Sequence, residues 1–337
     1  MKHCLRVVGY ICIGFALLYG TLTIYLPQTV ATAPNQAKVM DEKWRDSRSL
    51  ELTISSPSVG DKPKKVLLLV PKGWSKKSQQ TWPTLWLLHG GGGNHNDWIK
   101  NTDVEKVTRN LPVIVVMPET SGCSAYSDWW NDGKKGPPAW ETYLTKEVRT
   151  ILETDYRASN KRAIAGLSMG GLGALKLAAH HPGMFQAAAS FSGNVDPLHG
   201  YNNGKTGPDL PGLGCILSWK RLDDWKRVWG DYRIPAQRAI WQQNSPYEQA
   251  EKLANLDYLY VSSGNGLSNP LKVGLDFDPV EQEVHRQAKG LVQKLQLLKI
   301  PVTSHFYEGN HTWPYWQREL HRALPQIMEV LEKKEKS

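Results

Sequence analysis

The chain has 337 residues, of which 40% are hydrophobic and 22% are charged, and its formal net charge is +9 at pH 7. This length and hydrophobic content suit one large α/β domain, and the sequence shows no internal repeat or low-complexity block. The basic residues are scattered and no nucleic-acid-binding motif accompanies them, so a nucleic-acid partner is not expected.

The first 37 residues have the pattern of an export segment. Two basic residues precede an uncharged run from Val7 to Leu26, and small residues follow that run. This order is typical of a secretory signal and predicts a secreted or cell-envelope protein. The apolar run is long for a signal peptide, so an uncleaved membrane anchor stays open as the alternative. Residues 1–37 are therefore assigned to export or anchoring, and residues 38–337 to the folded domain.

Runs of apolar and alternating residues then predict strands and helices in turn. Strands are predicted near 50–56, 65–70, 84–88, 112–117, 162–166, 187–191, 256–261 and 302–307, and helices near 102–109, 139–153, 169–180, 280–298 and 314–332. Their alternation favours an α/β fold, a mostly parallel sheet with helices on both faces. Residues 193–250 interrupt the alternation and are rich in Gly, Pro, Trp and Asn. They are predicted to form an insertion that caps the site at which ligands bind.

A glycine-rich loop, His89-Gly90-Gly91-Gly92-Gly93, follows the predicted strand at 84–88. Glycines after a strand let backbone amides approach a ligand closely. No Gly-Lys-Ser or Gly-Lys-Thr follows, which argues against a loop of the kind that cradles nucleotide phosphates. A flexible loop and a set of amide donors for a developing negative charge remain as the two interpretations.

Two cysteines, Cys123 and Cys215, lie on predicted loops of the folded domain. In an oxidising compartment they can pair, but two buried free thiols are about equally natural, so both states stay open. No spacing of Cys and His indicates a metal site, and no cofactor is expected.

The pentapeptide GLSMG at 166–170 lies between a strand-like run and a helix-like stretch. A Gly-x-Ser-x-Gly sequence at such a junction is the nucleophile elbow of α/β-hydrolases, in which a sharp turn presents a strained serine at the start of a helix. The predicted fold is therefore an α/β-hydrolase fold, and the predicted nucleophile is Ser168.

The same fold requires two backbone amides that bind the oxyanion of the reacting ester. One comes from the loop after the third core strand and the other from the residue that follows the nucleophile. These positions predict Gly91 and Met169 as the oxyanion donors, which favours the second interpretation of the glycine-rich loop.

The general base should lie late in the chain, because the triad order of this fold ends with histidine. His311, just past the strand predicted at 302–307, is the best placed of the ten histidines. His305 lies inside that strand pattern and His321 on the final helix, where a structural or surface role is more natural.

The triad acid should lie between Ser168 and His311 in the chain. The segment that follows the strand predicted at 256–261 carries the candidates. From the residues alone four carboxylates stay open, namely Asp276, Asp278, Glu281 and Glu283.

Taken together, the motifs of this chain resemble the antigen 85 and mycolyltransferase group of the esterase family within the α/β-hydrolases. They are YSDW at 126–129, WET at 140–142, GLSMG at 166–170, SGNG at 263–266 and HTWPYW at 311–316, and they occur in the order seen in that family. The resemblance covers about residues 50–330 and implies that residues 38–337 form an α/β-hydrolase catalytic domain. It also implies that the acid is a glutamate near the start of the helix before the last strand. Matching that helix by its apolar positions puts this glutamate at Glu281, with Glu283 as the alternative.

The chain departs from the antigen 85 pattern at the first oxyanion loop. The trehalose-handling enzymes carry an acidic residue and an arginine around this loop, whereas residues 89–93 read HGGGG and look like the simpler secreted esterases of the same family. This departure favours water over a sugar as the acyl acceptor.

The sequence therefore predicts a secreted serine esterase that cleaves carboxylic esters through an acyl-serine intermediate. His311 would take the proton of Ser168 while Glu281 orients the imidazole. The partner would be an ester or acyl-lipid substrate. The alternative is a mycolyltransferase-like enzyme that passes the acyl group to a sugar hydroxyl. A non-catalytic binding protein on a hydrolase scaffold is disfavoured, because a binding module needs neither the serine, the histidine nor the glycine loop.

Overall fold

The computed structural model describes residues 36–199, 226–267 and 277–333. Within these ranges a nine-stranded sheet has the order β1-β2-β3-β5-β4-β6-β7-β8-β9. The strands are β1 Lys38–Trp44, β2 Ser49–Ser56, β3 Gly60–Leu69, β4 Trp82–Leu88, β5 Ile114–Pro118, β6 Ala158–Leu167, β7 Ala187–Phe191, β8 Tyr258–Gly264 and β9 Thr303–Tyr307. The pairings β1–β2, β2–β3 and β3–β5 are antiparallel, and the pairings from β5 through β9 are parallel. The prediction of a mostly parallel sheet is confirmed.

Helices cover this sheet, and the three longest lie close to their predicted positions, whereas the helix Pro235–Asn244 lies in the insertion, where none is predicted. In the described ranges they are α1 Asp97–Asn101, α2 Val104–Val107, α3 Trp140–Thr142, α4 Arg149–Asp155, α5 Met169–His180, α6 Lys226–Trp229, α7 Pro235–Asn244, α8 Pro279–Leu297 and α9 Trp313–Glu332. A π-helical segment, Tyr143–Val148, joins α3 to α4. None of the helices in these ranges has the length and apolar character needed to cross a membrane.

Each face of the sheet packs against its own hydrophobic core because side chains alternate along the strands. On β6, Ile164 belongs to the core that includes residues of α4, α5 and α8. Its neighbours Ala163 and Ala165 belong to the core that includes residues of α9. The sheet is therefore covered on both faces, as the alternation of strands and helices predicts.

The sequence pattern does not predict β1. This edge strand pairs only with β2 and, apart from Val39, its residues are exposed. A strand that buries neither face needs no alternation of apolar and polar residues, so its sequence carries no periodic signal.

Part of the predicted cap insertion, residues 200–225, lies outside the described residues, as do residues 1–35 of the predicted export segment. The described end of the insertion carries α6 and α7. Apolar side chains of these two helices pack against Leu172 on α5 and against Ala125. This end of the insertion therefore lies beside the first turns of α5.

Parallel pairing brings the carboxyl ends of four strands to one edge of the sheet. Leu167 at the end of β6 pairs with Phe191 at the end of β7, and Phe191 pairs with Ser262 on β8. Gly264, which ends β8, pairs with Tyr307, which ends β9. The loops that follow these strands therefore begin side by side, which is the usual position of a ligand site in such a sheet.

Glu51 on β2 links the antiparallel part of the sheet to the loop that follows the glycine-rich sequence. Its carboxylate pairs with Arg45, with Lys65 at 3.1 Å and with His95 at 3.3 Å. Burial by itself raises the pKa of the Glu51 carboxyl, but hydrogen bonds and charges of Arg45 and Lys65 outweigh burial and lower this pKa to about 2. The folded state therefore favours the ionised carboxylate.

We expect Glu51→Gln to remove a pH-dependent part of the free energy of unfolding, roughly 2 kcal/mol. Because the pKa is lowered on folding, the contribution is complete above the pKa of the unfolded chain, near 4.5. It is lost as the pH falls through about 2. Urea unfolding of both proteins between neutral pH and pH 3 measures the difference. Glu251→Gln, an exposed carboxylate without an ion pair in the described residues, is the control. A difference that stays constant with falling pH would contradict the assignment.

Candidate active site

Ser168 occupies the turn between β6 and α5 with a backbone φ of +52° and ψ of −123°. A positive φ is disfavoured for a residue with a side chain, so this conformation is strained and must be held by its surroundings. The Ser168 amide donates a hydrogen bond to the carbonyl of Phe191 at 2.9 Å. The Ser168 carbonyl accepts bonds from the amides of Gly171 and Leu172 in the first turn of α5. The serine is thus fixed between the neighbouring strand and the helix that it begins.

The two glycines of the pentapeptide are needed because three backbone segments pass very close to one another. A Cβ on Gly166 would lie 2.2 Å from the carbonyl oxygen of Gly170. A Cβ on Gly170 would lie 2.4 Å from the carbonyl oxygen of Leu88. Real Cβ atoms do not approach backbone this closely, so only glycine fits at either position.

The glycine-rich loop lies directly beside Ser168. A Cβ on Gly90 would lie 3.4 Å from the Cβ of Ser168. The Gly92 amide donates to Gly122 and the Gly93 amide donates to Gly90, but the Gly91 amide makes no hydrogen bond within the described ranges. The Met169 amide, at the N-terminus of α5, likewise has no partner in the described part of the chain. Neither predicted oxyanion donor is therefore used by another backbone group of the described residues.

His89, which sequence reasoning does not assign to any role, holds the glycine-rich loop from within. Its side chain is buried, Nδ1 lies 2.8 Å from the carbonyl of Gly90, and Nε2 accepts the Thr120 amide at 3.1 Å. Because Nε2 is an acceptor, Nδ1 carries the proton and donates to Gly90. Burial lowers the pKa of His89, which favours this neutral form.

Tyr126 and Lys176 connect the same loop to α5. The buried Tyr126 hydroxyl donates to the carbonyl of His89 at 2.8 Å. The Tyr126 carbonyl accepts from the Lys176 ammonium at 2.7 Å, and this ammonium also donates to Ser127 Oγ at 2.7 Å and to Glu141 at 3.0 Å. Burial lowers the pKa of Lys176, and the neighbouring Glu141 opposes this effect. The helix that presents Ser168 therefore also fixes the backbone that supports the glycine-rich loop.

The structure brings Glu281 and His311 into contact. Glu281 lies in the first turn of α8 and is fully buried, and its Oε2 is 2.6 Å from Nδ1 of His311. The other carboxylate oxygen accepts from Ser192 Oγ at 2.7 Å and from the Gly264 amide. The His311 and Trp316 rings are almost perpendicular, with their centroids 4.9 Å apart. The imidazole is thus oriented by a carboxylate whose two oxygens are both occupied.

The three other candidate carboxylates have different positions. Asp278 is the N-cap of α8 and accepts the amides of Val280 and Glu281. Glu283 is bound by Arg286 and Gln287 rather than by a histidine. Asp276 lies outside the described residues.

The competing histidines are engaged away from this cluster. His305 contacts Glu319 at 2.9 Å, and His321 contacts Asp103 at 2.7 Å. Ser168 and His311 lie at the same edge of the sheet, and no hydrogen bond joins them in the described ranges. Such catalytic hydrogen bonds are often long in unliganded enzymes and shorten when substrate binds.

Cys123 is buried and is disulfide-bonded. Cys215, with which the sequence analysis leaves a disulfide open, lies outside the described residues.

Comparison with known proteins places this geometry in a family. The sequence model of the family described as Putative esterase matches residues 56–327 of the chain. The diacylglycerol acyltransferase/mycolyltransferase Ag85B of Mycobacterium leprae is 34% identical over 268 residues, which span 74% of this chain and 76% of that protein.

Solved structures show the same fold. MPT51 of Mycobacterium tuberculosis superposes with a TM-score of 0.64 at 23% identity, over 83% of this chain and 98% of that one. An S-formylglutathione hydrolase from Agrobacterium tumefaciens also gives a TM-score of 0.64, at 17% identity, over 87% of this chain and 99% of that one. The predicted α/β-hydrolase fold is confirmed.

We expect Tyr126→Phe to lower the free energy of unfolding by about 1–3 kcal/mol, because it leaves the buried His89 carbonyl without its donor. Thermal and urea unfolding measure the loss. Tyr143→Phe is the matched control, since the Tyr143 hydroxyl is also buried but has no hydrogen-bond partner among the described residues. That change should leave stability unaltered or raise it. Equal losses in the two variants would contradict the assigned role of the Tyr126 hydroxyl.

Proposed function

Because this chain belongs to the Putative esterase family, we propose that it is a serine esterase that cleaves carboxylic esters through an acyl-serine intermediate. The observation that carries the proposal is the 2.6 Å contact between His311 Nδ1 and the fully buried Glu281. It lies at the sheet edge where the elbow presents Ser168. An imidazole held in this way keeps its second nitrogen for proton transfer.

In the proposed reaction, Ser168 Oγ attacks the ester carbonyl and its proton passes to Nε2 of His311. Glu281 orients the ring and stabilises the imidazolium that forms. The imidazolium then protonates the leaving alkoxide, which departs as an alcohol. His311 then takes the proton of water or of an alcohol, whose oxygen attacks the acyl-serine carbonyl. The bond to Ser168 Oγ breaks, the acid or new ester leaves, and the proton returns from His311 to Ser168 Oγ.

The Gly91 and Met169 amides are proposed to bind the oxyanion in both steps. Neither amide has a partner in the described part of the chain. Donors of this kind contribute about 3 kcal/mol each to stabilisation of the transition state, because they are already oriented before charge develops. The N-terminal end of α5 adds favourable electrostatic potential at the same point.

Water is the acceptor that we favour, because the loop at 89–93 has only glycines after its histidine. The second candidate function is transfer of the acyl group to a sugar hydroxyl. It is favoured by the 34% identity to a protein named a diacylglycerol acyltransferase/mycolyltransferase. Both functions use the same acyl-serine and differ in the second step.

For the domain organisation we retain the sequence-based proposal. Residues 1–37 would direct export or anchor the chain at the membrane, residues 38–337 would be the catalytic domain, and the insertion at 193–250 would cap the site. The enzyme would then act outside the cytoplasm or at the cell envelope. Protein sequencing of the N-terminus of the chain recovered from culture fluid and from membranes distinguishes cleavage from anchoring.

Ser168→Ala is expected to lower kcat for a short-chain nitrophenyl ester by several orders of magnitude. A fluorophosphonate probe should label the wild-type chain on the peptide that contains Ser168, as mass spectrometry can show. Ser262→Ala is the matched control, because Ser262 is buried on β8 and its hydroxyl has no hydrogen-bond partner in the part of the chain that the structure describes. Undiminished hydrolysis by Ser168→Ala would refute the mechanism.

Trehalose distinguishes the two acceptors when released nitrophenol and free acid are measured together. If water is the acceptor, the two products should remain equal whether or not trehalose is present. If nitrophenol exceeds free acid only with trehalose, the acyl group is passing to the sugar, and the transferase becomes the preferred function.

A further inference from the structure

Asp278 is bound on both of its carboxylate oxygens, and the two oxygens serve different parts of the chain. Oδ1 accepts the amides of Val280 and Glu281 at 3.0 Å and 3.1 Å, and so caps α8. Oδ2 accepts the backbone amide of His311 at 2.8 Å. A helix cap requires only the first of these contacts, so the second has no explanation in helix formation.

These contacts join the two elements that carry the acid and the base. Glu281 is in the first turn of α8, whereas His311 follows β9 on a separate loop. Their side chains meet through one hydrogen-bonded contact, Nδ1 to Oε2 at 2.6 Å, and this contact does not hold the His311 backbone. Asp278 adds a second contact, from the base of the helix to the backbone of His311 itself.

The surrounding backbone holds Asp278 in place. Its amide donates to the carbonyl of Gly266 at 2.8 Å, and the Gly266 amide donates to the carbonyl of Gly309 at 2.9 Å. Gly266 has a φ of +71°, and a Cβ there would lie 2.4 Å from the Asp278 carbonyl oxygen. The loops after β8 and β9 and the start of α8 therefore form one hydrogen-bonded unit.

Resting on the function proposed above, we propose that Asp278 is a positioning residue that fixes the backbone of His311 relative to Glu281 and thereby sets kcat without touching substrate. Displacing a catalytic group by about 1 Å can lower a rate by as much as 10²-fold. The expected loss on removing the second contact is therefore about tenfold in kcat, with KM unchanged.

Two substitutions separate this role from helix capping. Serine and asparagine cap helices about as well as aspartate. The serine hydroxyl of Asp278→Ser can bind the helix amides but is too short to reach the His311 amide as well. In Asp278→Asn, the side-chain oxygen can still accept the helix amides, but the NH₂ group then faces the His311 amide. Both of these groups are donors, so no hydrogen bond forms between them.

Both variants keep the helix cap and should melt above Asp278→Ala, while kcat falls about tenfold. The low-field proton resonance of the His311–Glu281 hydrogen bond, assigned by its absence in Glu281→Gln, should shift or broaden. Asp278→Ala should show the same loss of kcat and also melt at a lower temperature, because it loses the cap.

Asp46→Ser is the matched control. Asp46 also accepts two backbone amides, those of Arg48 and Ser49, but it lies between β1 and β2, at the opposite end of the sheet from β8 and β9. It should keep the wild-type kcat and the wild-type resonance. Wild-type kcat and an unchanged resonance in both Asp278→Ser and Asp278→Asn would overturn the proposal and leave Asp278 as a helix cap alone.

Failure of the proposed function gives a different result. A wild-type chain without esterase activity, or full activity in Ser168→Ala, would contradict that function. The low-field resonance is measured without substrate, so it still reports whether Asp278 fixes His311 against Glu281.

Discussion

The site depends on the close approach of three backbone segments at the carboxyl end of β6. The end of β6, the start of α5 and the end of β4 pass so near each other that a single Cβ on Gly166 or Gly170 would overlap a carbonyl group. This crowding forces the sharp turn at Ser168 and its positive φ, a conformation that costs about 1–3 kcal/mol for a non-glycine residue. Parallel pairing of β6 with the strands on both sides holds the turn. The position of the serine is therefore a property of the sheet rather than of a mobile loop.

Around this turn, buried polar groups are hydrogen-bonded to other parts of the protein. These hydrogen bonds stabilise the loops. The Lys176 ammonium is 1% exposed and would be strongly unfavourable there without acceptors. Its acceptors are Glu141, Ser127 and the Tyr126 backbone, so the loop near 126 has one arrangement that satisfies the charge. Glu281 is buried in the same way and is satisfied by groups from three different elements. Removing a partner from such a group costs more than the contact itself is worth, because a buried charge is left unpaired. The loops are thereby kept in one conformation before substrate arrives.

How far the sequence predicts this site depends on how local each feature is. The elbow and the glycine-rich loop are contiguous motifs with defined structural contexts, so their positions follow from a few residues each. Glu281 was one of four open carboxylates until the family resemblance selected it, because nothing local distinguishes a triad acid from a helix cap. The second contact of Asp278 and the link from Tyr126 to Lys176 are tertiary features, the latter between residues 50 positions apart. No spacing rule predicts such pairs. The edge strand β1 was missed for the opposite reason, since its exposed residues have no burial pattern to detect.

Helix α5 contacts both the candidate catalytic groups and the predicted cap. Helix α5 begins at the elbow and carries Lys176, which binds the backbone carbonyl of Tyr126. Leu172 on the same helix packs against the described helices α6 and α7 of the predicted cap. The chemical groups are thus tied to the sheet and to the buried part of α5. The described helices of the predicted cap meet this framework through apolar packing on Leu172 and through hydrogen bonds of Trp229 and Asn244 with Ser127 Oγ. Packing of this kind tolerates substitution of one hydrophobic residue by another of similar volume, while the buried hydrogen bonds do not tolerate loss of a partner. Apolar positions of the predicted cap can therefore change while the elbow keeps its conformation, whereas Trp229 and Asn244 are coupled to Lys176 through Ser127 Oγ.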